Sequence, residues 1–356
     1  MLKNMEAALP LWVKRRSTAR RFREGNRRAS VNLCYRIIIG IQDFLGTKGR
    51  IKMARSKRTA HPEIGGIAHL EHVNFEVADH DMVSIFFMGG LGFTRDPYTR
   101  TDEKNMAANV GQQQFHLPRL GRPTPPMHGV IGLITPELDA VKERCDALEK
   151  EGVFKDTPYA YEVKNNCHEV MSPFGVKMRL HATGSMPFPR VLGLPYVDIP
   201  VPPGSAAGIL KFYERVMRAP CHIEEVDGKT TGFVTMGPYQ WTRFIETEGL
   251  DSYDNDTFHI AYYVSNYNEV LDFIDDGGSV IAGGQNQIFF FQTIFDPDTG
   301  DEIFSLQNEV RSFYHEDFMR PLINRWPMSD EPFSVQRDPN REQTRQWGVM
   351  PGPWSN

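Results

Sequence analysis

The chain has 356 residues, 40% of them apolar and 24% charged, with a formal net charge of −5 at pH 7. That is the balance of a globular protein of about two domains, and no apolar run reaches the length of a membrane-spanning helix, since the best one, over 31–45, is broken by Arg36 and Asp43. Cys34, Cys145, Cys167 and Cys221 form no CxxC pair, which excludes a thiolate zinc site or disulfide framework and fits a reducing compartment.

The N-terminal segment stands apart. Residues 1–60 hold sixteen Lys or Arg against Glu6, Glu24 and Asp43, so the rest of the chain is distinctly acidic. An acidic folded part argues against nucleic acid as a partner. Residues 1–62 show no hydrophobic period and are set outside the fold. Their composition suits an organellar transit peptide or translated upstream sequence ahead of Met53. The expected location is the cytoplasm, or an organelle if the segment is a targeting signal.

From residue 69 to 77 apolar and polar residues alternate. Val73, Phe75 and Val77 face one way and His72, Asn74 and Glu76 the other, which is the period of a half-buried strand. Residues 80–90 read as a helix carrying Met82, Val83, Ile85, Phe86 and Phe87, ended by Gly89-Gly90. Strands follow near 93–98, 105–110 and 112–118. After the Pro-rich turn at Pro123, Pro125 and Pro126 comes a strand over 128–135. An amphipathic helix follows over 136–152, with Leu138, Val141, Cys145 and Leu148 at helical spacing. Strands near 158–163, 167–171 and 176–182 complete the first copy.

Residues 184–192 form a linker, and the order then repeats. A strand over 196–201 leads to a helix over 204–218 and strands near 221–226, 230–236 and 240–247. A strand over 258–264, a helix over 267–277 and strands near 280–283, 288–295 and 302–308 close the second copy. The residues repeat with the elements: His128-Gly129-Val130-Ile131 answers His259-Ile260-Ala261-Tyr262, and Ser172-Pro173-Phe174-Gly175 answers Asp296-Pro297-Asp298-Thr299-Gly300. A repeat at this period fixes the architecture before any single residue is interpreted. Residues 312–356 show no periodicity and read as an irregular tail.

The tandem βαβββ order, a His in the first strand, a Phe-rich helix ending in Leu91-Gly92-Phe93, a His opening the fifth strand and Asp-Pro-x-Gly before the last strand resemble the vicinal oxygen chelate superfamily. Glyoxalase I, extradiol dioxygenases, methylmalonyl-CoA epimerase and bleomycin-resistance proteins belong to it. The resemblance covers roughly residues 66–310. It implies an α+β fold of two tandem glyoxalase-like modules, 66–183 and 193–311, each a pair of βαβββ units forming a curled open sheet. It also implies a metal on the concave face, held from the first, fourth, fifth and eighth strands.

With each copy curling its own cup, copy one would gather His72, His116 and His128 as metal ligands. Three imidazoles suit a divalent ion: Fe²⁺ for a dioxygenase, Zn²⁺, Ni²⁺ or Mn²⁺ otherwise. Where the superfamily has a final Glu, copy one has Arg179, which cannot ligate a metal but could grip a substrate anion. Asn74, Gln114 and His181 would join it in binding substrate, and Glu76 would be the catalytic carboxylate. Copy two offers Tyr196, Ile245, His259 and Phe304 at the corresponding positions. One histidine without a carboxylate would leave it an aromatic pocket rather than a metal centre.

These residues point to a metal-dependent enzyme acting on a small molecule with vicinal oxygens, by ring-cleaving dioxygenation or a glyoxalase-like lyase or isomerase reaction. The alternative is a metal-free binding protein of the bleomycin-resistance type. The partner is a small-molecule substrate, with neither nucleic acid nor membrane, and assembly as a homodimer stays open.

Overall fold

The computed structural model describes residues 66–96, 104–119, 127–250, 258–285 and 287–322, all within one compact unit, His61–Asn356. The basic segment 1–62 and the tail past 322 lie outside the described residues.

Four βαβββ units follow one another. The first is β1 (Ile67–Phe75), α1 (His80–Val83, continuing as a π-helical stretch over Ser84–Gly90), β2 (Thr94–Arg95), β3 (Ala107–Val110) and β4 (Gln113–His116). The second is β5 (Val130–Thr135), α2 (Leu138–Lys150), β6 (Ala160–Val163), β7 (His168–Met171) and β8 (Lys177–Ala182). The third is β9 (Gly193–Val201), α3 (Ala206–Val216), β10 (Cys221–Val226), β11 (Lys229–Gly237) and β12 (Gln240–Glu246). The fourth is β13 (Phe258–Val264), α4 (Tyr267–Asp276), β14 (Val280–Gln285), β15 (Ile288–Phe295) and β16 (Glu302–Ser312).

These strands form two eight-stranded sheets, the two glyoxalase-like modules of an α+β fold. Each sheet is assembled across the sequence halves. One has the order β14-β15-β16-β13-β1-β4-β3-β2 and the other β10-β11-β12-β9-β5-β8-β7-β6. The first and fourth units therefore share a cup, as do the second and third. This corrects the expectation that each copy closes on itself. The joints are antiparallel: β1 runs beside β13, and β5 beside β9. Alternation along a strand states which side chains face the core, not which neighbouring unit supplies the partner strand.

The period-two pattern fills the core. Val73, Phe75, Phe115, Leu117, Ile260 and Tyr262 are buried on one face of the first sheet, and each large apolar side chain so buried contributes about 1.5–3 kcal/mol. Helix α3 buries Ile209, Phe212, Tyr213 and Val216, the three-and-four spacing of one helical stripe. Two glutamines fasten the sheets to each other. Gln240 Nε2 donates to Leu70 O of β1 (2.9 Å) and Leu194 O of β9 (3.3 Å), and Gln113 Oε1 accepts from Leu194 N (3.0 Å).

β1 departs from plain alternation. Its register with β13 runs His69 opposite Tyr263, Leu70 opposite Tyr262 and His72 opposite Ala261, with a shift between Leu70 and His72. Glu71 is the extra residue of a β-bulge, a device that re-aims side chains beside functional sites. Leu70 and Val73 both stay in the core, and Glu71 comes into hydrogen-bonding contact with His72.

Candidate metal centre

Cross-strand register arranges the polar face of the first sheet in rows. Gln114, His72, Ala261 and Glu309 lie opposite one another on β4, β1, β13 and β16. The next row is His116, Asn74, His259 and Gln307. These are the first and fourth strands of the first unit and of the fourth unit, so the ligand positions come from both halves of the chain.

Three ligand atoms converge here. His72 Nε2 lies 3.4 Å from His259 Nε2 and 3.3 Å from Glu309 Oε2, and His259 Nε2 is 3.0 Å from Glu309 Oε2. Ligands held about 2.1 Å from one ion are separated by about 3.0 Å at right angles and about 3.4 Å at tetrahedral angles. The donor set fits a divalent cation.

Each of these groups has an outer partner. His72 Nδ1 pairs with Glu71, and His259 Nδ1–H donates to Gln307 Oε1 (3.0 Å). Both Nε2 atoms then present lone pairs to each other and to a carboxylate, an arrangement that calls for a positive guest. Arg311 Nε donates to Glu309 Oε1, and its Nη1 is 3.0 Å from Glu71 Oε2. Such outer partners fix imidazole tautomer and ring orientation at metal sites. Ala261, between His72 and Glu309, keeps the middle of the row open.

Without an ion, the electrostatics favour a positive charge on His72 between the two carboxylates. Burial opposes a charge on His72, yet the Glu309 and Glu71 carboxylates outweigh it and raise its pKa. Burial would raise Glu309, but His72 and Arg311 hold it well below the carboxylate range. Burial lowers His259. Burial and the neighbouring His72 keep His116 neutral, well below the imidazole range. A neutral imidazole is the form that ligates.

Of the histidines expected to act together, His72 and His116 meet. Their rings stack with centroids 3.7 Å apart, and His116 Nε2–H donates to Gln114 Oε1 at 3.1 Å. His128 does not join them: it is exposed and leads into β5 of the other sheet. Asn74 lies between His116 and His259 in its row. Gln114 Nε2 donates to Asp96 and to Asn109 Oδ1 (2.7 Å). Glu76 is buried past the end of β1, outside the ligand groups. Arg179 and His181 lie on β8 in the second sheet.

His259, set aside as a lone histidine of copy two, and Glu309, Glu71 and Arg311 are the residues that strand-by-strand reading missed. β16 runs to Ser312, beyond the expected end near 308. Phe304, Leu306 and Val310 continue one buried face, so the alternation carried on would have placed Glu309 opposite them. Leu70 and Val73, three apart rather than two, were the trace of the bulge that brings in Glu71.

The second sheet has a different filling. By the same register, its rows are Trp241, Tyr196, Gly132, Arg179 and Arg243, Asp198, Val130, Lys177. Tyr196 takes the place of His72, and Arg179 that of Glu309. The Tyr196 ring lies on Gly132, where an added Cβ would be 2.4 Å from it, and Arg243 sits 3.8 Å over the ring. Arg243 and Arg179 both bond Asp198, and Arg179 Nε donates to Glu169 (3.0 Å). His181 Nε2 and Tyr196 OH are 2.8 Å apart. Self-paired charges and an aromatic ring fill the space that Ala261 leaves open in the first sheet.

After β16 the chain crosses the first sheet. Phe318 packs on Tyr263 of β13 (centroids 5.0 Å), and Arg320 bonds Asp96 beyond β2 at 3.1 Å. Asp317 joins this strap to Arg311 (3.5 Å) and to Arg320 (3.0 Å). Beneath it lies a cavity of about 700 Å³ whose lining includes His69, Glu71, Arg190, Gln240, Tyr263 and Phe318.

No protein family and no curated protein sequence matches the chain. Solved structures do. Two point variants of glyoxalase I from Zea mays superpose with TM-scores of 0.52 and 0.50, at 13% and 14% identity. They cover 72% and 71% of this chain and 96% and 94% of their own. A Bacillus subtilis protein provisionally described as a dioxygenase, 17% identical, covers 81% of this chain and 98% of its own, with a TM-score of 0.47. The fold is similar to that of glyoxalase I.

Proposed function

We propose that this chain is a divalent-metal enzyme whose centre is His72, His259 and Glu309. The observation that carries the reading is the spacing of 3.0–3.4 Å among the three ligand atoms, each oriented by its own outer partner. The substrate is a small molecule offering two adjacent oxygens.

Two imidazoles and one carboxylate favour Fe²⁺ and a dioxygenase-type reaction. When bound, the ion supplies a Lewis-acidic, redox-active centre with open positions for substrate oxygens and O₂. A vicinal diol on an aromatic ring would take up both atoms of O₂ and open. Isomerisation is less well served, because it needs a carboxylate free to move a proton. Glu71 and Glu309 are each held by Arg311, and Glu76 stands outside the ligand group.

The chain's own residues would then divide the work. Glu71 and Gln307 hold the imidazoles of His72 and His259, and Arg311 steadies Glu309. The strap over 313–322 would roof the cavity beside them. The test is metal analysis of the untagged protein after incubation with Fe²⁺, Zn²⁺, Mn²⁺ and Ni²⁺, followed by O₂ uptake with catechols. Stoichiometric metal and O₂ consumption are expected. A chain that takes up none of the four ions refutes the centre; metal without O₂ uptake transfers the reading to a lyase or isomerase.

A further inference from the structure

Arg190 lies between β8 and β9 and lines the cavity under the strap. Its Nη1 donates to Gln113 Oε1 (3.1 Å) and its Nη2 to Pro238 O (2.8 Å), while Nε is buried without an acceptor. The other charges along the cavity are shared out. Glu71 pairs with His72 and Arg311, and Asp317 with Arg311 and Arg320. Arg190 pairs with no carboxylate among the described residues, and burial alone pulls its pKa down. A half-buried cation held by neutral acceptors is a costly feature unless an anion completes it.

The rest of the lining sets the ligand's size and charge. About 700 Å³ accommodates a small organic molecule. Tyr263 and Phe318 meet edge to face and form an apolar corner. His69 is held neutral by burial and hydrogen-bonds Gln112 O (3.0 Å). The Glu71 and Asp317 carboxylates on the same wall would repel a second negative charge.

We propose that this cavity binds a small organic monocarboxylate, its carboxylate on the Arg190 guanidinium and its apolar body against Tyr263 and Phe318. Glu71 borders the cavity and bonds the ligand residue His72, so the bound acid lies beside the metal centre. That the acid is the substrate rests on the function proposed above; that it binds does not.

The test uses the full chain, metal-loaded and metal-free, titrated calorimetrically with benzoate, phenylacetate and hexanoate and with their uncharged amides. At least one acid is expected to bind with Kd at or below about 1 mM. Its amide and the Arg190→Gln variant should each weaken binding roughly tenfold or more, with Arg190→Lys recovering part of the loss. Metal content should be the same in all three proteins, and thermal melting checks that the variants fold. Equal binding of acids and amides, acid binding that survives Arg190→Gln, or no binding of any of the three acids overturns the proposal. A chain that binds acids through Arg190 but takes up no metal leaves this proposal standing and removes the enzyme reading.

Discussion

Glu309 Oε2 lies 3.3 Å from His72 Nε2, although one residue belongs to the last strand of the fold and the other to the first. The three side chains meet only because β1 and β16 flank β13 in one sheet. Substitutions should therefore sort by sheet rather than by sequence copy. His72→Ala, His259→Ala and Glu309→Gln should each lose bound metal, whereas His128→Ala should keep it. Metal analysis of the four purified variants decides this. Chelation should also lower the melting temperature of the wild type, because metal binds only the folded ligand set.

Glu71 is placed to act through His72 rather than on substrate. Glu71→Gln keeps the side chain's size but weakens the hold on Nδ1–H. Outer partners of ligand histidines typically set metal affinity by about 10–100-fold, and a loss in that range is expected by competition with a chelator. An unchanged affinity would show that the bulge at Glu71 serves only the strand.

Ala261 marks the open middle of the ligand row. Ala261→Leu should fill it, much as the Tyr196 ring fills the matching space over Gly132. Overpacking costs about 1–3 kcal/mol, so the variant should fold with reduced urea resistance and bind no metal. Metal retained at wild-type stoichiometry would place the ion elsewhere.

Acid should destabilise the metal-free protein below about pH 6.5. Burial lowers the pKa of His69, His116, His168, His181, His259 and His315. Their folded values lie below the unfolded one, so the unfolded chain binds more protons as pH falls and stability drops through that window. His72 has the opposite sign, since its raised pKa gives stability that is full at low pH and fades as pH rises. Six histidines against one predict a net loss on acidification. Urea unfolding at pH 8, 6 and 5 measures it, and His181→Gln should flatten the slope.

The strap is fastened at its far end by Arg320, bonded to Asp96 and Asp317. Asp317 is partly solvated but Asp96 is buried, so Arg320→Ala strips a buried carboxylate of its cation and should cost more than the ~1 kcal/mol of a surface pair. Local opening is the sensitive observable. Amide exchange over 313–322 should quicken in the variant while β13 and β16 keep wild-type protection.

Much of the frame was legible along the chain. The alternation at Val73, Phe75 and Val77, the helical spacing of Leu138, Val141, Cys145 and Leu148, and the paired turns Ser172-Pro173-Phe174-Gly175 and Asp296-Pro297-Asp298-Thr299-Gly300 located elements to within a few residues, because burial imposes its period on the sequence. His72 and His116 were also readable as neighbours, since β1 and β4 belong to one unit. Glu71 was not, because a bulge breaks the period that reading relies on. Nor was Glu309, because β16 begins well ahead of the ligand row where β8 begins just before it, so the count from the turn glycine that reaches Arg179 from Gly175 reaches only Phe304 from Gly300.

By itself the sequence determined four βαβββ units and which side chains of each strand face the core, since local burial periodicity encodes both. Only the tertiary structure decided which units share a sheet. Any of the four inner strands could satisfy its alternation against more than one partner, and the choice is made by packing between distant segments. That choice joins His72 to His259 and Glu309, leaves His128 and Arg179 on the other sheet, and turns two unequal copies into one metal-ready cup and one filled with its own charges.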